Sequence, residues 1–293
     1  MTLGHYIPLQ YGFKLSGEHY QQRLIRYPGL SVLYYQFTAP LSDLPIQAVP
    51  DGCADILFCC TDMNPQAWLR GSALRWTPVF NQPGQTYFGI RLSPSVSRRL
   101  PFVPYQQVTG CKVDLVDICS DAEQWIDHLT QCPHFSDRVS WSEQWLIQNG
   151  VMDGGQTDMI GHSLERIHQT CGVIRIEELA NEVHCSARSL RHKFNTEMGL
   201  SPKKYARIVR FQATLEHLVS GTESEWMDPG QSPSFASLDD DYGYYDQSHF
   251  YKEFQEFTNC TPKQLQFQLA TSSSHHRPRS YSAIAHHGAT SVA

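Results

Sequence analysis

One stretch limits what this chain can fold into more than any other: Ile176 to Phe211, IEELANEVHCSARSLRHKFNTEMGLSPKKYARIVRF. Ile176, Leu179 and Val183 recur at helical spacing, which predicts a short amphipathic helix. His184-Cys185 makes a turn, and Ser186 is placed to cap the next helix, because its hydroxyl can accept a free first-turn amide proton. In that second helix Leu190, Phe194 and Met198 share one side, while Arg188, Arg191, His192 and Asn195 share the other. Gly199 ends it, and Ser201-Pro202 opens a third helix with proline at its first position.

The pattern then returns. Gln247 to Phe257 has an inner face of Phe250, Phe254 and Phe257 and an outer face of Gln247, Ser248, Tyr251, Lys252 and Gln255. Phe235 and Leu238 begin a short helix before it, and Gly243 marks the turn. Asn259 ends it, and Thr261-Pro262 opens another helix as Ser201-Pro202 did. Such a repeat argues against an accidental hairpin.

An apolar back and an outer face of Arg, Arg, His and Asn suit a major-groove reader: Arg can fork onto guanine, and Asn can pair with adenine. The plain alternative is a solvated face, since exposed Arg is common. Lys203, Lys204, Arg207 and Arg210 cluster at the start of the third helix. Solvation explains such a cluster, and so does phosphate contact, which positions without reading sequence.

The first half reads differently. Gly29–Phe37, Ala54–Cys60, Ala67–Gly71 and Thr86–Leu92 are apolar, aromatic and β-branched, with Pro40, Pro45, Pro50-Asp51-Gly52, Asn64-Pro65 and Pro83-Gly84 between them. Short strands with such punctuation predict a sandwich or small barrel of cupin or jelly-roll type. Helices are expected over 122–130 and 138–148; this Trp-bearing pair is a candidate dimer surface. The expected class is therefore α+β. A β-rich domain spans 1–150, a linker rich in glycine covers 148–158, and an all-α domain with two helix-turn-helix motifs spans 157–270. A polar tail, 271–293, carries His275-His276 and His286-His287 and is expected to be disordered.

Several functions are disfavoured. No apolar run reaches the roughly 20 residues a membrane span needs, and the first residues lack the order of a signal peptide. Nine irregularly placed cysteines read as reduced thiols of a cytoplasmic protein. No nucleophile motif or phosphate loop is present, so no catalytic residue is assigned. His5, His19, His128 and His134 are not paired at ligand spacing, and Cys132-Pro133-His134 lacks a second pair, so no metal or cofactor is expected. Asp51 and Asp55 are read as flanking a turn into a strand.

The region from about Thr157 to Leu269 resembles the DNA-binding domain of AraC/XylS-type transcription regulators. The likeness rests on IEELANEVHCSARSLRHKF, GLSPKKYARIVRFQ and GYYDQSHFYKEFQEFTNCTPKQL. VPDGCADILF and FGIRLSP are similar to segments of the β-barrel sensor domains that often precede it. The resemblance implies base reading by Arg188, Arg191 and His192, and by Gln247, Ser248, Tyr251 and Lys252; Asn195 joins the first set from its spacing. Phosphate contacts are expected from Ser186, Lys203, Lys204 and Arg207. The implied partners are double-stranded DNA, a small-molecule effector, RNA polymerase and a second copy of the chain, with no membrane.

The chain departs from the family pattern in three places. His184 stands where the turn usually has Gly, Ala213 replaces a common Arg, and Asp239-Asp240-Asp241 lies in the second motif's first helix. Charge is uneven as well. From Gly172 to Gln212 eight basic residues face four acidic ones, whereas from Thr222 to Ala270 two face nine. Phosphate neutralisation dominates protein–DNA affinity, so the first motif is expected to supply most of it. Two rival readings are a cupin-like metal enzyme with a helical appendage, and an interaction protein whose acidic second motif binds another protein.

Overall fold

The computed structural model describes residues 6, 8, 10–27, 30–41, 45–61, 63–79, 81–152, 158–220 and 242–273. After a short helix α1 (Tyr11–Ser16), strands β1 (Glu18–Tyr27), β2 (Leu30–Thr38), β3 (Ile46–Ala48), β4 (Ala54–Cys59), β5 (Gln66–Arg70), β6 (Thr77–Val79) and β7 (Thr86–Leu92) follow. Next come α2 (Pro94–Ser97), α3 (Tyr105–Val108), β8 (Lys112–Asp114), a 3-10 turn, α4 (Ala122–Gln131) and α5 (Phe135–Gln148). Six strands make one antiparallel sheet in the order β1-β2-β7-β4-β5-β8, and β3 pairs β6 in a separate ribbon. The four expected strands are β2, β4, β5 and β7. The fold is mixed α+β, as expected.

The sheet is buried on both faces, so its central strands are apolar nearly throughout rather than alternating. One face, with Leu30, Val32, Tyr34, Ile56, Phe58, Phe88 and Ile90, joins a core that runs on through α4 and α5. The other face, with Tyr35, Phe37, Leu57 and Tyr87, packs against Ile46 and Val79 of the ribbon and Phe13 of α1. β1 went unread because its residues are mostly exposed and polar, with no period-two pattern.

The tryptophans of α4 and α5 point inward. Trp125 is buried and stacks on Trp145 at 4.0 Å, with Trp141 at 5.9 Å. Such contacts add about 1 kcal/mol each beyond area. Trp125 is wholly inside the core, and Trp141 and Trp145 are half-buried against it. The polar run after α5 is not wholly loose, since Val151 and Met152 are buried.

Helices α6 (Met159–Gln169), α7 (Ile176–Glu182), α8 (Ala187–Met198) and α9 (Pro202–Ser220) come next, then α10 (Gln247–Thr258) and α11 (Pro262–Ser273). The expected helix around Phe235 and Leu238, Asp239 to Asp241, and the paired tail histidines lie outside the described residues.

The two halves share one core. Leu190, Phe194, Met198, Tyr205 and Val209 of the helical half belong to the same buried cluster as Ile56 and Phe88 of the sheet. The loop before β4 makes part of the contact. Gln212 of α9 donates to the Pro50 carbonyl at 2.7 Å. Gly52, at φ +75°, lies so close to the Tyr205 ring that a Cβ there would sit 2.6 Å from it. At the other end, Arg98 pairs with Asp158 (2.6 Å) and Glu197 (2.5 Å), and Thr109 donates to the Met198 carbonyl at 2.9 Å.

Candidate nucleic-acid interface

The first motif is built as its spacing requires. α7 buries Ile176, Leu179 and Ala180, and α8 buries Leu190, Phe194 and Met198. The turn between them places His184 at φ +53°, in the left-handed region. A side chain there costs roughly 1–2 kcal/mol, which is the physical content of the missing glycine. Ser186 caps α8, its hydroxyl accepting from the Ser189 amide at 3.1 Å, and Gly199 closes it in the left-handed conformation.

Arg188, Arg191, His192 and Asn195 are all exposed, and none is packed against the sheet. Arg191 meets Glu177 at 2.9 Å, but the two side chains are 51% and 70% exposed. Such a pair is worth well under about 1 kcal/mol and yields readily to a base edge.

The second motif repeats the design. Asp246 caps α10 by accepting from the His249 amide at 2.7 Å, and Asn259 ends it at φ +57°. Phe250, Phe254 and Phe257 are buried, the last two against Phe211 of α9. Gln247, Ser248, Tyr251 and Lys252 are exposed. Thr261 and Gln264 exchange hydrogen bonds at the start of α11, the Gln264 side chain accepting from the Thr261 amide at 2.8 Å. This reciprocal pair caps the start of α11.

The residues expected on phosphate are divided. Lys203 is exposed, and so is Ser186, although its hydroxyl is occupied as a cap. Lys204 and Arg207 instead face α10. Lys204 meets Glu256 at 2.9 Å, and Arg207 meets Glu253 and Glu256 at 2.6 Å each. Arg210 adds a two-pronged contact to Glu253, at 2.8 and 2.9 Å. Burial works against the charge on Glu256, yet hydrogen bonds from Lys204 and Arg207 outweigh it and hold this carboxyl below its ordinary range.

Glu253, one of the nine acidic residues of its segment, is 2% exposed. The signal was present: Phe250, Glu253, Phe254 and Phe257 make one i, i+3, i+4, i+7 stripe. One of the nine acids of that segment is thus internal, and it and the exposed Glu256 pair with bases of the first. The segment charges overstate the difference between the two reading faces. Ala213 is also buried, at 3%, where an Arg would be costly.

Asp51 and Asp55 are more than turn formers. Arg91 on β7 forks onto Asp55 at 3.0 and 3.1 Å and lies 3.6 Å from Asp51. Tyr35 donates to Asp55 at 3.0 Å, and Gln10 to Asp51 at 2.9 Å. Burial is the main cause that pushes the Asp51 carboxyl up to about 6; Asp55 adds to it and Arg91 opposes. Next to this loop, His168 of α6 is half-buried, stacked on Tyr6 at 4.4 Å and hydrogen-bonded to the Tyr205 hydroxyl at 2.6 Å. Burial drops its pKa to about 3. Among the described residues no three His, Cys, Asp or Glu side chains gather as a metal site requires, and no helix is long and apolar enough to cross a membrane.

With this geometry in hand, comparison with known families is decisive for the helical half. Residues 179–268 match a helix-turn-helix domain family. The chain carries an AraC-type helix-turn-helix domain. Solved structures similar to it include ToxT from Vibrio cholerae O395, 12% identical over 85% of this chain and 98% of that one, with a TM-score of 0.41. The same protein from Vibrio cholerae in a P21 crystal form gives 11% identity, 85% and 98% coverage and a TM-score of 0.42. ToxT bound to (E)-4-(8-methylnaphthalen-1-yl)but-3-enoic acid gives 11%, 85%, 99% and 0.42. No curated protein sequence matches the chain.

Proposed function

We propose that the chain is a sequence-specific transcription regulator of the cytoplasm. It reads two successive major-groove segments with α8 and α10 and catalyses no reaction. One observation carries this reading. Two capped helices, each apolar behind, present Arg188, Arg191, His192 and Asn195, and Gln247, Ser248, Tyr251 and Lys252, to solvent. Arg, Asn and Gln are the side chains that fork onto base edges. Lys203 and Ser186 serve phosphate. Lys204 joins them only by leaving Glu256, and Arg207 only by leaving Glu253 and Glu256.

The β-rich half is proposed to sense a small molecule. The Arg91–Asp55–Asp51 cluster links the interior face of the sheet to the loop that touches Tyr205 and Gln212 of α9. A molecule that rearranged this cluster would bind one arrangement of the two halves better than another, and so shift their populations. Arg70 on β5, whose buried Nε has no partner, lies on the same sheet next to Asp55. A second copy of the chain and RNA polymerase complete the proposed partners.

Selection of bound duplexes from a random pool tests the function. A defined motif pair, bound more weakly as salt rises, supports it. Recovery of no motif would reject it.

A further inference from the structure

We propose that Glu253 is the positioning residue that sets the register between the two reading helices, and with it the base-pair spacing the protein accepts. This rests on the two-motif reading above. A short tether does not fix α10 against α9, since Ser220 and Gln247 are far apart in sequence. The apolar contacts between them, Phe211 with Phe254 and Phe257, have no strong direction and tolerate sliding.

The charged contacts do have direction. Lys204, Arg207 and Arg210 stand three residues apart on α9, and Glu253 and Glu256 three apart on α10. They mesh as an antiparallel zipper: Lys204 with Glu256, Arg207 with both acids, Arg210 with Glu253. A slip of one turn removes a rung at one end. Glu253 cannot bear that loss, because its side chain is 1% exposed and water cannot replace a missing donor. Buried charge that is satisfied in one arrangement alone is how polar groups select register. Glu256 lies at the exposed rim and tolerates the change.

The test uses the whole chain and its selected duplex, with the two half-sites at natural spacing or moved apart or together by one base pair. The natural chain is expected to prefer its own spacing by about tenfold or more. In Glu253→Gln the preference falls to within about threefold, while affinity for the first half-site alone is unchanged. Glu253→Met, which removes both the charge and its demand for donors, gives the same result and guards against misfolding of the Gln variant. First half-site binding reports that each variant is folded. A folded variant that keeps the natural spacing preference overturns the proposal. A natural chain that selects no duplex overturns the reading of DNA instead, so the two failures are distinguishable.

Discussion

Gln212 in the middle of α9 gives its side-chain amide to the carbonyl of Pro50, in the loop that leads into β4, at 2.7 Å. Both groups are buried, so the contact fixes the helix between α8 and α10 to the β-rich half. Gln212→Leu leaves that carbonyl unpaired inside the protein. The expected loss is about 1–3 kcal/mol, read as a lower urea midpoint. An unchanged midpoint would mean that this carbonyl finds another donor.

Gly52 stands at the same junction. Its φ of +75° and its distance from Tyr205 leave no room for a methyl group. Gly52→Ala is expected to cost at least about 1–2 kcal/mol in backbone strain alone, and to raise protease cleavage between the halves. Equal cleavage of the variant and the natural chain would contradict the packing described.

His184→Gly should do the reverse. The turn holds His184 at φ +53° while its side chain stays exposed, so glycine relieves strain and removes no burial. Glycine's extra freedom in the unfolded chain offsets part of the gain. The net expectation is a stabilisation of about 0.5–1 kcal/mol, seen as a higher melting temperature with DNA affinity kept. A lower melting temperature would contradict it.

His168 gives a pH dependence of definite sign. Its folded pKa of about 3 lies below the ordinary value of 6.5 because burial excludes the charged ring. The unfolded chain therefore binds more protons between these values, and stability falls as pH drops from about 6.5 towards 3. Asp51 acts oppositely. Its raised value of about 6 means that its contribution is present at low pH and lost as pH rises through about 6. His168→Phe should flatten the acid-side loss in denaturant titrations at several pH values. An unchanged slope would show that His168 is accessible to water.

The lysines of α9 should separate by salt. Lys203→Ala is expected to lower the slope of log affinity against log salt by about one. Lys204→Ala is expected to change it little, because its ammonium already meets Glu256. Equal slopes for the two variants would mean that the Glu256 contact opens on DNA.

The helical half was largely legible because each helix carries its own start, stop and stripe. Ser186, Gly199 and Asn259 mark ends by local backbone chemistry, and the phenylalanine stripe of α10 needs no partner to be seen. β1 was not legible, since an exposed edge strand has no apolar period. The stripe of α10 marks Glu253 as inward, but its partners Arg207 and Arg210, and the pairing of Lys204, were not legible, because they depend on which helix lies opposite. The same holds for Arg91, Asp51 and Asp55, which three separate strands and loops bring together. Charge counted along a segment does not reveal which charges face each other across an interface.

The central claim is that α8 and α10 enter neighbouring grooves of one duplex. Hydroxyl-radical footprinting on a selected site measures this directly. The expected result is two protected patches on one face, about 10 base pairs apart, the first weakened by Arg191→Ala and the second by Lys252→Ala. A single patch, or two patches that both variants weaken equally, would contradict it.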